Sequence, residues 1–167
     1  SFLESRGIEL PFGQPSDGPS HDTICGVGNR KNELYNNLID SQGVDVFEST
    51  VKLIEELRER GTRVGLMSSS KNTAQILRRT GLEYLFEARV DGVVAEQTGL
   101  RGKPHPDSYL RTAELLGVSA NESFVVEDAV SGVEAGTRGG FGLVIGIDRE
   151  GNAEELWRAG ADIVVSD

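Results

Sequence analysis

From Arg63 onward the chain alternates short apolar runs with longer amphipathic stretches, and no other feature narrows the available folds as much. Arg63 to Met67 precedes Asn72 to Thr80, and Ala88 to Val90 precedes Asp107 to Leu116. Phe124 to Glu127 then precedes Ser131 to Arg138, Leu143 to Ile147 precedes Ala153 to Ala159, and Ile163 to Val165 comes last. Apolar runs without in-and-out alternation suit strands buried on both faces, and strand–helix alternation is the pattern of a doubly wound parallel sheet. Gly81, Gly117 and Gly160 each follow a helical pattern as its stop.

The part before Arg63 reads differently. Ser1 to Gly7 resembles the end of a helix and carries no initiator Met, so a fragment whose beginning is lost is expected. Ile8 to Asp22 is rich in Pro, Gly, Ser and Asp and is expected to be a surface loop. A helix is expected from Asn29, its cap, to Gly43, its stop, with Leu34 and Leu38 on one face. That places Arg30 and Lys31 in the first turn, the unfavourable end for cations unless an anion binds there. Thr50 to Arg60 is a second amphipathic helix with Val51, Ile54 and Leu57 inward, a Glu56–Arg60 pair and Gly61 as its stop. The expected division is 1–46 as a partial helical domain and 47–167 as an α/β core.

Composition removes several function classes. A net charge of −10 argues against nucleic-acid binding through a basic surface, while leaving room for a local cationic pocket. No apolar run approaches the ~18 residues of a membrane span. The single cysteine, Cys25, excludes an internal disulfide or a cysteine-based zinc site; it reads as a small buried hydrophobe in a reducing, cytoplasmic setting.

Three strand ends carry polar clusters, at the edge where open α/β sheets bind ligands. In GLMSSSKN, Ser68, Ser69, Ser70, Lys71 and Asn72 sit where a strand opens into a helix. Their hydroxyls, with free N–H groups and the positive helix end, make a natural phosphate site or a plain N-cap region. In GKPHPDSYL, Lys103 is fixed between a glycine and a proline. In FVVEDAVSGVEAG, Glu127 and Asp128 end the strand, where the pair could hold a hard cation such as Mg²⁺ or Asp128 could cap the next helix.

In this order and at these spacings the three clusters resemble the haloacid dehalogenase superfamily, in particular its β-phosphoglucomutase-like subgroup with a helical cap. The resemblance covers nearly the whole chain. It implies a Rossmann-like core and phosphoryl transfer on a phosphosugar or other small phosphometabolite. It further implies that Ser68 holds the transferring phosphoryl group, Lys103 neutralises charge, and Glu127 with Asp128 binds Mg²⁺. Ser70, Lys71 and Asn72 match the part that grips a second phosphate, Ser69 lies among them, and Arg30 and Lys31 match a basic cap helix. These roles suit a reaction governed by positioning and charge neutralisation.

The family's first motif, an Asp-x-Asp bearing the nucleophile and the general acid, has no counterpart. Asp91 to Val94 resembles part of it, but Arg89 stands in place of the first acid and the stretch follows the second motif. The resemblance therefore implies a missing central first strand between the strands ending at Met67 and Glu127, supplied by an N-terminal segment, and a fragment inactive alone. A sugar-phosphate phosphatase and a non-catalytic binding module remain as alternatives.

Overall fold

The computed structural model describes residues 6–166, so the helix expected at Ser1 to Gly7 falls largely outside the described residues. The chain divides into two compact units, Ser1–Asp45 and Val46–Asp167.

The first unit is built on helix α1, Ile24–Gln42. It starts five residues before the expected cap, because Thr23 does the capping: its hydroxyl accepts the Gly26 N–H at 2.9 Å. Asn29 instead donates from its side chain to the Pro15 and Asp17 carbonyls (3.1 and 2.8 Å), tying down the Pro-rich loop. The backbone N–H groups of Ile24 and Cys25 reach the carbonyls of Pro11 and Phe12, so the loop satisfies the first turn of α1. Arg30 and Lys31 consequently lie in the second turn, beyond the reach of the helix's positive end, and need no anion to offset it. Cys25 is half-buried rather than buried. Gly43 ends the helix at φ 79° as expected.

In the second unit α2 (Glu48–Glu59) leads to β1 (Gly65–Met67), α3 (Thr73–Thr80), β2 (Ala88–Val90), α4 (Gly92–Thr98) and α5 (Asp107–Leu116). Then come β3 (Phe124–Glu127), α6 (Val130–Arg138), β4 (Leu143–Asp148), α7 (Ala153–Arg158) and β5 (Ile163–Ser166). Val51, Ile54 and Leu57 of α2 are half-buried, and Glu56 faces Lys52 at 4.0 Å, one turn back from the expected Arg60. Helix α4 was not expected; it arises because Asp91 caps it, accepting the N–H groups of Val93 and Val94 at 3.1 and 3.0 Å.

All strand pairs are parallel, in two sheets: β1 with β2, and β3–β4–β5. No ladder joins β1 to β3 among the described residues, as the expected strand order requires. Helix α5 bridges the two sheets. Its Thr112 and Leu116 lie so close to β1 that a Cβ on Gly65 would sit 2.6 Å from the Thr112 methyl. Its Tyr109 packs with Val125 of β3 and Ala135 of α6, and Met67 of β1 joins that cluster.

Only one face of β3 is covered. Val125 is 5% exposed, but Phe124 and Val126 are 41% and 44% exposed, which corrects the expectation of a strand buried on both sides. The physical reason is that α5 and α6 cover the Val125 face, whereas on the opposite face, among the described residues, Ile163 and Val165 are exposed as well, at 43% and 44%. A second core lies between β4, α6 and α7, where Val133, Val144 and Leu156 are almost solvent-free. Leu156→Ala should therefore cost about 2–5 kcal/mol by loss of transfer energy and an unfilled cavity. A urea midpoint that does not fall, at unchanged slope, would contradict this packing.

Candidate active site

The carboxyl ends of β1 and β3 and the turn before α5 carry the polar groups. The Glu127 carboxylate is the centre of the arrangement. Its Oε2 accepts from Lys103 Nζ at 2.8 Å and from the Tyr109 hydroxyl at 2.5 Å, and its Oε1 accepts the Ala129 N–H at 3.1 Å. Lys103 and Glu127 are 17% and 11% exposed at their side chains, so water does little to screen the pair. The Lys103 ammonium also lies 5.6 Å from the Tyr109 ring centre. Burial, then the negative charge of Glu127 and its hydrogen bond, drive the Tyr109 phenol well above its ordinary value, so it stays a proton donor.

The turn bearing Lys103 is held at both ends. Asp107, the first residue of α5, accepts from the Arg101 backbone N–H and from both sides of its guanidinium at 2.8 Å each. The peptide bond between Lys103 and Pro104 is cis. The inward course of Glu127 demands a residue without a side chain beneath it, for a Cβ at Gly132 would lie 2.3 Å from the carboxylate carbon.

Asp128 does not cap α6. The cap residue is Ala129, with no side-chain cap, and the Ala129 N–H is taken by Glu127. Asp128 is about half exposed, and its nearest cation is Arg149, at 3.3 Å. Arg149 in turn stacks on Phe47, 4.2 Å from its ring centre.

At the end of β1 the Ser68 hydroxyl accepts the Ser70 N–H at 3.2 Å, and Ser70 Oγ accepts the Asn72 N–H at 3.1 Å. Thr73, buried in the first turn of α3, has its hydroxyl 2.9 Å from both Ser68 Oγ and the Ser70 carbonyl, and donates to one of them. The serine loop is thus wound by its own hydroxyls into a fixed turn. Lys71 leaves it to meet both oxygens of Glu96 on α4 at 2.8 Å.

The structure therefore links Lys103 and Glu127 directly, while Asp128 pairs with Arg149 instead; Met67, the residue before the Ser68 loop, packs on the Tyr109 cluster. Arg30 and Lys31 belong to the other unit, on α1. Arg30 there is 3.9 Å from Asp22. Tyr109, Glu96, Arg149 and the Arg101–Asp107 clamp were missed in the sequence. A Tyr in the first turn of the helix that follows Lys103 was the available signal for the first of these.

Carboxylate oxygens are the right donors for a hard cation such as Mg²⁺. Asp128 is half exposed and paired with Arg149, which a cation would have to displace, whereas Glu127 is already occupied on both oxygens. Among the described residues no cluster of three acidic, His or Cys side chains exists, so this pair would be only part of a metal site.

Residues 15–140 match the model of the haloacid dehalogenase-like hydrolases. The chain belongs to that family. It is 46% identical, over its whole length, to a β-phosphoglucomutase of Mycobacterium bovis, and it spans 65% of that relative. The solved structure of a β-phosphoglucomutase from Clostridium difficile superposes with a TM-score of 0.75 over 98% of this chain and 66% of that one, at 21% identity, a likeness of fold. A family hydrolase from Deinococcus radiodurans with bound phosphate and sodium gives 0.67 over 99% and 80%, at 26% identity. No helix among the described residues is long and apolar enough to cross a membrane.

Two outcomes are expected from this geometry. The Arg101 clamp holds the Asp107 carboxyl down to about 2 from its ordinary 3.8. A depressed carboxyl contributes its stabilisation fully above about pH 4 and loses it as pH falls through about 2. A carbon-13 titration of Asp107 with a midpoint near 4 would show the clamp open. Gly132→Ala should push the Glu127 carboxylate aside and release the Lys103 ammonium. A Lys103 side-chain resonance that exchanges with water as slowly in the variant as in the parent would contradict it.

Proposed function

We propose that this chain forms most of a Mg²⁺-dependent enzyme that moves phosphoryl groups on a phosphorylated sugar, in the manner of a β-phosphoglucomutase. The observation that carries the reading is the Lys103–Glu127 pair, a shielded ammonium fixed at the strand ends beside an exposed Asp128 and a hydroxyl-rich helix start. The identity of 46% to a β-phosphoglucomutase supports the same choice.

In this reading the Ser68 hydroxyl, with the loop N–H groups, holds the transferring phosphoryl group, and Lys103 meets the charge that grows on its oxygens. Tyr109 and the Arg101–Asp107 clamp fix where that ammonium stands. Asp128, and Glu127 on exchanging one of its present partners, would hold Mg²⁺, which when bound offsets phosphate charge. Ser69, Ser70, Lys71 and Asn72 take the second phosphate, and Arg30 and Lys31 of α1 are further candidates for binding a phosphorylated substrate. The nucleophile is an Asp on a further strand that fills the open edges of β1 and β3, and the transfer passes through its aspartyl-phosphate. Unpaired strand edges seek such a partner. The setting is cytoplasmic.

In the full-length protein Asp128→Ala should abolish Mg²⁺-dependent turnover, since a methyl group cannot replace an oxygen ligand. Full activity in saturating Mg²⁺ would refute the metal role. Lys103→Ala should lower turnover by on the order of 10²-fold. The mutase reading requires a hexose 1-phosphate to become the 6-phosphate only when a bisphosphate primer is present. Release of inorganic phosphate from many sugar phosphates, with no isomerised product, would favour a family phosphatase instead.

A further inference from the structure

Lys71 is not a loose surface cation. Its Nζ lies 2.8 Å from each oxygen of Glu96, and both residues stand on backbone that is itself fixed. The Gly92 N–H donates to the Ser70 carbonyl at 3.1 Å, and the Ser68 N–H donates to the Val90 carbonyl at 3.0 Å. The start of α4 sits so tightly on the serine loop that a Cβ on Gly92 would lie 2.6 Å from the Ser69 carbonyl oxygen. Asp91 is buried at 2% exposure, caps α4 and lies 3.1 Å from Arg89, in charge contact although the Arg89 Nε–H is off line for a hydrogen bond. Glu96 is therefore carried to Lys71 by a rigid connection from β2, one helical turn beyond the loop it faces.

We propose that Glu96 is a specificity-determining residue that occupies Lys71 until a ligand's second phosphate displaces it. This rests on the reading of Lys71 as a grip for that phosphate. Both side chains are more than half exposed, at 59% and 66%, so the pair is weak enough to be exchanged. A phosphate monoester carries close to two negative charges near neutral pH and three acceptor oxygens, against one charge on the carboxylate. It can replace Glu96 on the ammonium. A hydroxyl or any other neutral group at the same place cannot. A monophosphate seated on Ser68 leaves the Lys71–Glu96 pair closed and gains nothing from Lys71. Glu96 thus sets the margin by which a bisphosphate outcompetes a monophosphate, and its charge also repels every anion that approaches.

The test is equilibrium binding to the full-length protein by calorimetry, with divalent cations chelated so that the ligand is not consumed. Glucose 1,6-bisphosphate and glucose 6-phosphate are the probes, and Glu96→Gln, Lys71→Ala and the double variant are compared with the parent. Glu96→Gln should tighten the bisphosphate by about two- to fivefold, leave the melting temperature in place, and have no effect on a Lys71→Ala background. That last comparison isolates the coupling between the two side chains. Unchanged or weaker bisphosphate binding in Glu96→Gln, while Lys71→Ala still weakens it, overturns the role of Glu96 alone. If Lys71→Ala binds the bisphosphate as well as the parent does, the second-phosphate reading of Lys71 fails, and this inference falls with it.

Discussion

A single carboxylate, Glu127, sets the positions of the groups around it. It ends β3, yet its oxygens are taken by an ammonium from the turn before α5, a phenol on α5 and a backbone N–H at the start of α6. Removing two charges from water is costly, and a pair so placed is poor evidence for stability. Its value is geometric. Tyr109 and the Ala129 N–H hold the carboxylate, and the carboxylate in turn holds the Lys103 ammonium at 2.8 Å.

That arrangement depends on α5 more than on either sheet. The β1–β2 pair and the β3–β4–β5 sheet share no ladder, so their relation is carried by packing. Thr112 and Leu116 lean on Gly65, and one turn earlier Tyr109 reaches Val125, with Phe141 against its ring edge at 5.9 Å. Residues 3 or 4 apart share a helix face. Tyr109, Thr112, Ala113 and Leu116 are the buried residues of α5 and form such a stripe. The same stripe that joins the two halves of the core therefore also supplies the phenol that orients Glu127.

Much of this was legible in the sequence, because the signals were local. The limits of β3 and α5 follow from an unalternated apolar run and from a period of 3.6, and the glycines at 43, 81 and 117 close their helices with positive φ. Helix α4 was hidden because its seven residues contain Gly92 and two adjacent valines, weak helix formers, and only the buried Asp91 cap makes them helical. The start of α1 was misplaced for a related reason. Asn29 is a good cap by type, but its side chain is engaged by the carbonyls of the Pro-rich loop, which brings Thr23 into the capping position. Such tertiary contacts leave no local signature. The exposed face of Phe124 and Val126 escaped for the opposite reason: composition says that a residue is apolar, not whether a layer exists to cover it.

The adjacent acids show most directly how a pattern of two in the chain becomes a division of labour in space. Along a strand, side chains alternate between faces. Val125 points into the α5–α6 layer and is buried, so Glu127, two residues on, is directed to the same side. There it meets Lys103 and Tyr109 in the space that Gly132 leaves open. Asp128 comes one residue later, beyond the end of the ladder, and emerges half exposed beside Arg149. Exchanging the order of the two acids would place the shorter side chain inward, where it would fall about one methylene short of the ammonium, and the longer one outward. Their order is thus fixed by reach, with the inner acid engaged by Lys103, Tyr109 and the Ala129 N–H and the outer one turned to Arg149.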